Sequence, residues 1–280
     1  MGRSHQPLQP SPQNRRLGLQ TQKDIPMDTQ RTLTYTFVDT ESSWDRDLFA
    51  GNRMIHSRYE HNRIGSRIIN AAALFDVDIA GDGTVAFGAV KSWSQSTHRT
   101  DLAVTKALFD NLAERADRVV VTWGGVPADQ QILTLTAMEY GLVLPQHFQE
   151  RTSATRHRMH LDLSLAMKSG GKTWHHLSEV AHRIGVPLAL LRDKARFFPT
   201  RSPAEWRLLT GHCELDTVVT AIVMIAWRIA QGAPGLRFEP AVIATIGAFL
   251  RQRPDHPLAN ELKAYSADLE HLIGEDRQAA

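Results

Sequence analysis

The sequence predicts an α/β fold, a mixed five-stranded sheet flanked by helices and followed by a helical C-terminal extension. Three observations carry this. Segments 33–41, 66–79 and 84–93 read as strands, the last two joined by the tight turn "AGDG". The run "VVVT" is short, apolar and followed by glycines, as in a buried parallel strand, and it lies between two stretches of helical spacing. From Thr173 onward the pattern is helical throughout.

The first strand sets the problem. Leu33, Tyr35 and Phe37 share one face, and the next two positions on that face are Asp39 and Glu41. Either the strand has reached solvent, or two carboxylates are aimed together to hold a cation. A polar insert over 42–63 follows. The stretch 101–116 is a helix with Leu102, Leu108, Phe109 and Leu112 as its apolar stripe. The stretch 127–141 is a second helix, opened by Pro127 and closed by Gly141. "RHRMHLDL" is a short fifth strand, and helices are expected over 173–185, 203–210, 212–231, 238–252 and 257–273. A right-handed crossover returns the fourth strand beside the first. Ligands of such sheets bind at the carboxyl ends of strands where the order reverses, which puts Asp39 and Glu41 beside the end of "VVVTWGG".

Composition narrows the class. An apolar content of 42% with 22% charged residues is that of a soluble globular chain. A single cysteine, Cys213, excludes an internal disulfide and suits a reducing, cytoplasmic setting. The apolar run "TVVTAIVMIAW" is shorter than the ~18 residues of a membrane span and reads as a buried helix. No apolar leader opens the chain, so no secretory signal is expected. Residues 1–31 hold five basic side chains (Arg3, Arg15, Arg16, Lys23, Arg31) against Asp24 and Asp28. That is +3 in a chain whose net charge is +2, leaving −1 for the rest. This segment is expected to be a disordered basic tail, with a main domain over 32–233 and the helical extension over 234–280.

More carboxylates fall near the first two. Asp129 lies a few residues past "TWGG", in the first turn of a helix, where an acid is also favoured by the helix dipole alone. In "GHCELDTVVTAIVMIAW", His212 and Asp216 stand four apart on one helix face. Four carboxylates converging without a cation would repel one another. Hard divalent ions such as Mg²⁺ or Mn²⁺ relieve this. Two of them ~4 Å apart assist in-line displacement at phosphorus. Phosphodiester cleavage is the chemistry this pattern suits. The acids Asp45, Asp47, Asp76 and Asp78 are read as loop and turn residues.

These motifs resemble the DEDD superfamily of 3′–5′ exonucleases on the ribonuclease H-like fold. Within it, the chain is most similar to the predicted exonucleases related to the proofreading domain of family B DNA polymerases. The first motif, D-x-E, is "VDTES" with Asp39 and Glu41. The second, W-N-G-x-x-F-D, is "WGGVPAD" with Asp129, and the third, Tyr-x-x-x-Asp, is "HCELD" with Asp216. "RHRMHLDL" and "LSEVAHRIGVP" resemble two further family segments, and the likeness spans about residues 33–231. It departs at Gly124 (Asn in the family), Ala128 (an aromatic) and His212 (Tyr).

The resemblance implies a metal-dependent exonuclease of single-stranded DNA or RNA ends. Asp39, Glu41, Asp129 and Asp216 would hold two Mg²⁺ or Mn²⁺ ions. His212 would orient or deprotonate the attacking water, or else pack at the helix start. Trp123, Gly125 and Arg158 are the substrate-binding candidates. The alternative is a catalytically impaired, nuclease-like nucleic-acid-binding protein. Trp123 has two readings, a base-stacking face or a core residue, and Asp162 two, a neighbour of the metal site or a polar strand end. Arg151, Arg156, Arg192, Lys194 and Arg196 either follow a phosphate backbone or form a solvated face. "MKSGGKTW" lacks the first glycine of a P-loop, having Ala166 there. His175, His176 and His182 lack the partner motif of a zinc site.

Overall fold

The computed structural model describes residues 32–60, 63–149, 159–168, 171–191 and 202–279. Strands β1 (Leu33–Trp44), β2 (Arg67–Ile79), β3 (Val85–Ser94), β4 (Val119–Thr122) and β5 (His160–Asp162) form one sheet in the order β3-β2-β1-β4-β5. β2 runs antiparallel to both of its neighbours, β1 and β3, and β4 and β5 run parallel to β1. This is the expected mixed α/β sheet, consistent with a ribonuclease H-like fold. The tail over residues 1–31 lies outside the described residues.

Each face of the sheet has its own core. On one face Val38, Leu74 and Val120 meet Val104, Leu108 and Leu112 of α3 (Asp101–Ala113) and Ile132 and Leu133 of α4 (Asp129–Tyr140). The α3 stripe begins at buried Val104; Leu102 is only half-buried, because the 104–108–112 spacing, one turn apart, faces the sheet. α4 begins at Asp129, and Pro127 lies in the preceding turn instead of the first helical turn. Gly141, at φ +68°, ends it in the left-handed conformation.

On the other face Tyr35, Phe37, Phe75 and Val77 pack against α7 (Pro203–Ala230). The sequence predicts two helices here, broken at Gly211, but the helix is continuous for 28 residues. Gly211 is a close approach and not a break: a Cβ on it would stand 3.0 Å from the Pro257 ring. The apolar part of α7 is long enough to cross a membrane, yet 83% of that window is buried inside the fold.

The stretch 234–280, expected to be an extension, supplies α8 (Phe238–Gln252) and α9 (Ala259–Ala279). Their Val242, Ile246, Phe249, Leu262 and Tyr265 join the same cluster as Phe75 and Ile222. α1 (Arg46–Ile55) occupies part of the polar insert, started by Asp45, whose carboxylate accepts the Asp47 and Leu48 N–H groups, and a short α2 (Gln95–His98) follows β3. α5 (Leu163–Lys168) is a further helix that sequence reading leaves out. α6 (Leu177–Arg183) starts four residues later than expected, at a capping box of His176 and Glu179.

Asp76 and Asp78 are strand residues, not turn acids. Asp76 lies buried within β2 and binds Arg115 Nε through both oxygens (3.1 and 2.9 Å) and the Thr36 hydroxyl (2.7 Å). Asp78 pairs with Arg118 at 2.6 Å. These arginines neutralise the two acids within the strand.

Candidate metal centre

At the carboxyl end of β1 the side chains of Asp39 and Glu41 project to the face covered by α7. Directly opposite them on β2 are Ala73 and Ala71, both fully buried. Such small residues let α7 sit close over the strands. Immediately after Glu41 the β1–β2 register shifts, a bulge of the kind that re-aims strand ends. α7 is fixed at this level by Cys213, whose thiol donates to the Asp39 carbonyl at 3.3 Å. The sole cysteine is thus a buried packing contact.

That docking brings Asp216 to the two strand acids. One carboxylate oxygen from each of Asp39, Glu41 and Asp216 lies within 4.8 Å of the others. Glu41 is buried, and Asp39 and Asp216 are half-buried. His212, buried, is one helical turn before Asp216. A metal ion could be held by this donor set, since carboxylate oxygens are the ligands hard cations select.

The fourth expected acid stands apart. Asp129, first residue of α4, accepts a hydrogen bond from the Thr40 hydroxyl at 2.7 Å and is not a member of the three-carboxylate group. The reason is strand alternation: Thr40, between Asp39 and Glu41, points to the opposite face, where α4 packs. Sequence reading takes the D-x-E motif as two acids and passes over the residue between them. The period of two that pairs the acids already assigns Thr40 to the other side.

The loop between β4 and α4 is held from β5. Asp162 accepts the N–H groups of Gly124 (3.0 Å), Val126 (2.9 Å) and Leu165 (3.1 Å), so it fastens this loop to α5. Gly124 has φ +67°, a conformation that asparagine also tolerates, so the departure from the family's Asn keeps the backbone path. Gly125 has a packing reason, since a Cβ there would stand 2.4 Å from Thr122 Oγ1. Trp123 packs against the main core and donates its indole N–H to the His175 carbonyl at 3.3 Å. Arg158, Arg151, Arg156, Arg192, Lys194 and Arg196 lie outside the described residues.

His160 on β5 meets the Thr122 hydroxyl at 2.9 Å, and burial, partly opposed by the Asp162 carboxylate, pushes its pKa down to about 4. An unfolded histidine titrates near ~6.5. Its contribution to stability is therefore complete above about pH 6.5 and is lost as pH falls toward 4, in total up to about 3 kcal/mol. Burial lowers the pKa of His256 too, with the same sign. Melting curves of the His160→Gln variant between pH 7 and pH 4 are expected to fall less steeply than those of the wild type. Parallel curves would contradict this assignment.

"MKSGGKTW" is not a P-loop: helix α5 ends at Lys168 where a strand would be required, and Lys168 rests on the Trp174 ring at 3.8 Å. His176 caps α6. Among the described residues, the one group of three or more metal-ligand side chains is Asp39, Glu41 and Asp216. Comparison with protein-family models and with curated proteins gives no match.

Proposed function

We propose that the protein is a metal-dependent 3′–5′ exonuclease acting on single-stranded DNA or RNA ends, of the DEDD type that its motifs resemble. The observation that carries this reading is the meeting of Asp39, Glu41 and Asp216 within 4.8 Å at the carboxyl end of a central strand. These three would hold one Mg²⁺ or Mn²⁺ ion. Asp129, on the Thr40 hydroxyl, is the carboxylate available to a second. Bound divalent ions supply Lewis acidity at the scissile phosphate.

The chain's own residues do the rest. Asp39, Glu41 and Asp216 would supply the oxygen ligands of that ion, whose chemistry there would be to position and polarise a phosphate. His212, one turn before Asp216, accepts the proton of the attacking water on a ring nitrogen, a role open to histidine near neutral pH and closed to unperturbed tyrosine. The loop over 123–126, tied down by Asp162, forms a fixed wall. His212→Ala is expected to lower turnover by roughly 10²–10⁴ while leaving ion-dependent stabilisation intact. Wild-type turnover in that variant would assign His212 to packing.

Asp129 standing outside the acidic group favours a second reading, a nuclease-like protein that binds single strands with impaired catalysis. The two readings separate on one assay. Purified protein is incubated with labelled single strands in Mg²⁺, Mn²⁺ or EDTA, and binding and shortening are followed together. Binding without shortening in either metal supports the second reading.

A further inference from the structure

A cleft of about 470 Å³ opens beside α7 on the side away from Asp216, between β3 and the α8–α9 connection. Its position follows from the sheet register. Asp39 is opposite Ala73, which is opposite Ser92, and Glu41 is opposite Ala71, which is opposite Ser94. The two cleft serines therefore share rows, and a face, with the two strand acids. They stand two strands over, roughly 10 Å away at the usual interstrand spacing.

The floor of the cleft is internally neutralised. Glu214, buried, accepts Ser92 Oγ and Arg253 Nε at 2.7 Å each, and Arg253 also donates to the Val90 carbonyl at 2.9 Å. His256 bridges the Gly211 carbonyl and the Leu258 N–H, so it is a structural support. The wall is different in kind. Trp206 lines it from the first turns of α7, next to Arg207, which reaches across to the Asp255 carbonyl at 3.3 Å. Ser94, Ser96 and Thr210 add hydroxyls.

Arg207 and Arg253 are balanced by Glu214 and Asp255, so the cleft carries no excess charge for a polyanion. An aromatic face, hydroxyls and balanced charge suit a neutral, flat, polar group, and the volume lies in the range of small-molecule sites.

We infer that this cleft is a nucleobase subsite, in which Trp206 stacks on a base of the single strand two or more nucleotides away from the bond held at Asp39, Glu41 and Asp216. The inference rests on the nuclease reading and adds a second point of attachment to it. Stacking on Trp206 contributes binding without sequence preference, since every base has a π-face.

The test compares a dinucleotide, too short to reach from the acids to the cleft, with an eight-nucleotide single strand, as DNA and as RNA. For Trp206→Ala, KM on the longer strand is expected to rise roughly tenfold, within the range of one base–aromatic stack. Its kcat, and its KM on the dinucleotide, should stay within about twofold of wild type on this account. Trp206→Phe should restore most of the loss. Ser96→Trp, a change at the exposed mouth that fills the cleft without touching the core, should reproduce it, which covers poor folding of the alanine variant. Equal KM for wild type, Trp206→Ala and Ser96→Trp on the longer strand would overturn the subsite, as would an equal loss on both substrates. If the folded wild type neither binds nor cleaves any strand, the nuclease reading fails and the subsite falls with it; failure of the subsite alone leaves wild-type cleavage in place.

Discussion

Asp39→Asn is expected to lose on the order of 10³-fold or more in nuclease turnover, because several kcal/mol of ion-derived stabilisation of the reacting phosphate goes with it. The same substitution has an opposite effect on the resting fold. Three carboxylate oxygens within 4.8 Å repel one another without a cation, and removing one charge relieves that. In EDTA the variant should therefore melt no lower than wild type, and above it if repulsion dominates. In Mn²⁺ the order reverses. Wild type gains about 2.7 kcal/mol at a hundred times Kd, several degrees in Tm for a chain of this size, and the variant gains little. Asp216→Asn should behave alike. An ion-dependent rise in Tm of equal size in wild type and both variants would place the ion elsewhere.

The largest stability effect is expected far from this site. Asp76 and Arg115 are nine-tenths buried and joined through both carboxylate oxygens, with Thr36 completing the shell. Asp76→Ala leaves the buried Arg115 guanidinium with only the exposed Glu114 carboxylate, 3.7 Å away, as countercharge. The expected cost is about 3–5 kcal/mol, measured by urea denaturation. Replacing both residues by apolar ones of similar size, Asp76→Leu with Arg115→Met, should recover much of the loss. A single-variant loss below about 1 kcal/mol would mean that solvent screens this pair as it does a surface pair.

What the sequence makes legible follows from where its signals are periodic. The alternation in "LTYTFVDTE" predicts both the strand and the shared face of Asp39 and Glu41, and the sheet order follows from the short apolar run between two helices. The i, i+4 spacing of His212 and Asp216 likewise survives into the fold. Features set by contacts distant in sequence are harder to read. Gly211 looks like a helix break until Pro257, from the α8–α9 connection, is seen against it. Asp76 looks like a turn acid until Arg115 reaches it from the turn that follows α3. In each case the deciding atom comes from another element, and local pattern carries no record of it.

If Asp39, Glu41 and Asp216 form the ion-binding centre of a 3′–5′ exonuclease, strand shortening must depend both on the ion and on these acids. Single strands labelled at the 5′ end, DNA and RNA, are incubated with the purified protein in Mg²⁺, Mn²⁺ or EDTA, and the products are resolved to single-nucleotide steps. A ladder shortened one nucleotide at a time from the 3′ end is expected in at least one metal. Intact strands are expected in EDTA and with the Asp39→Asn protein. An absence of shortening by folded wild type in both metals, or shortening that persists in EDTA or in Asp39→Asn, would contradict this assignment.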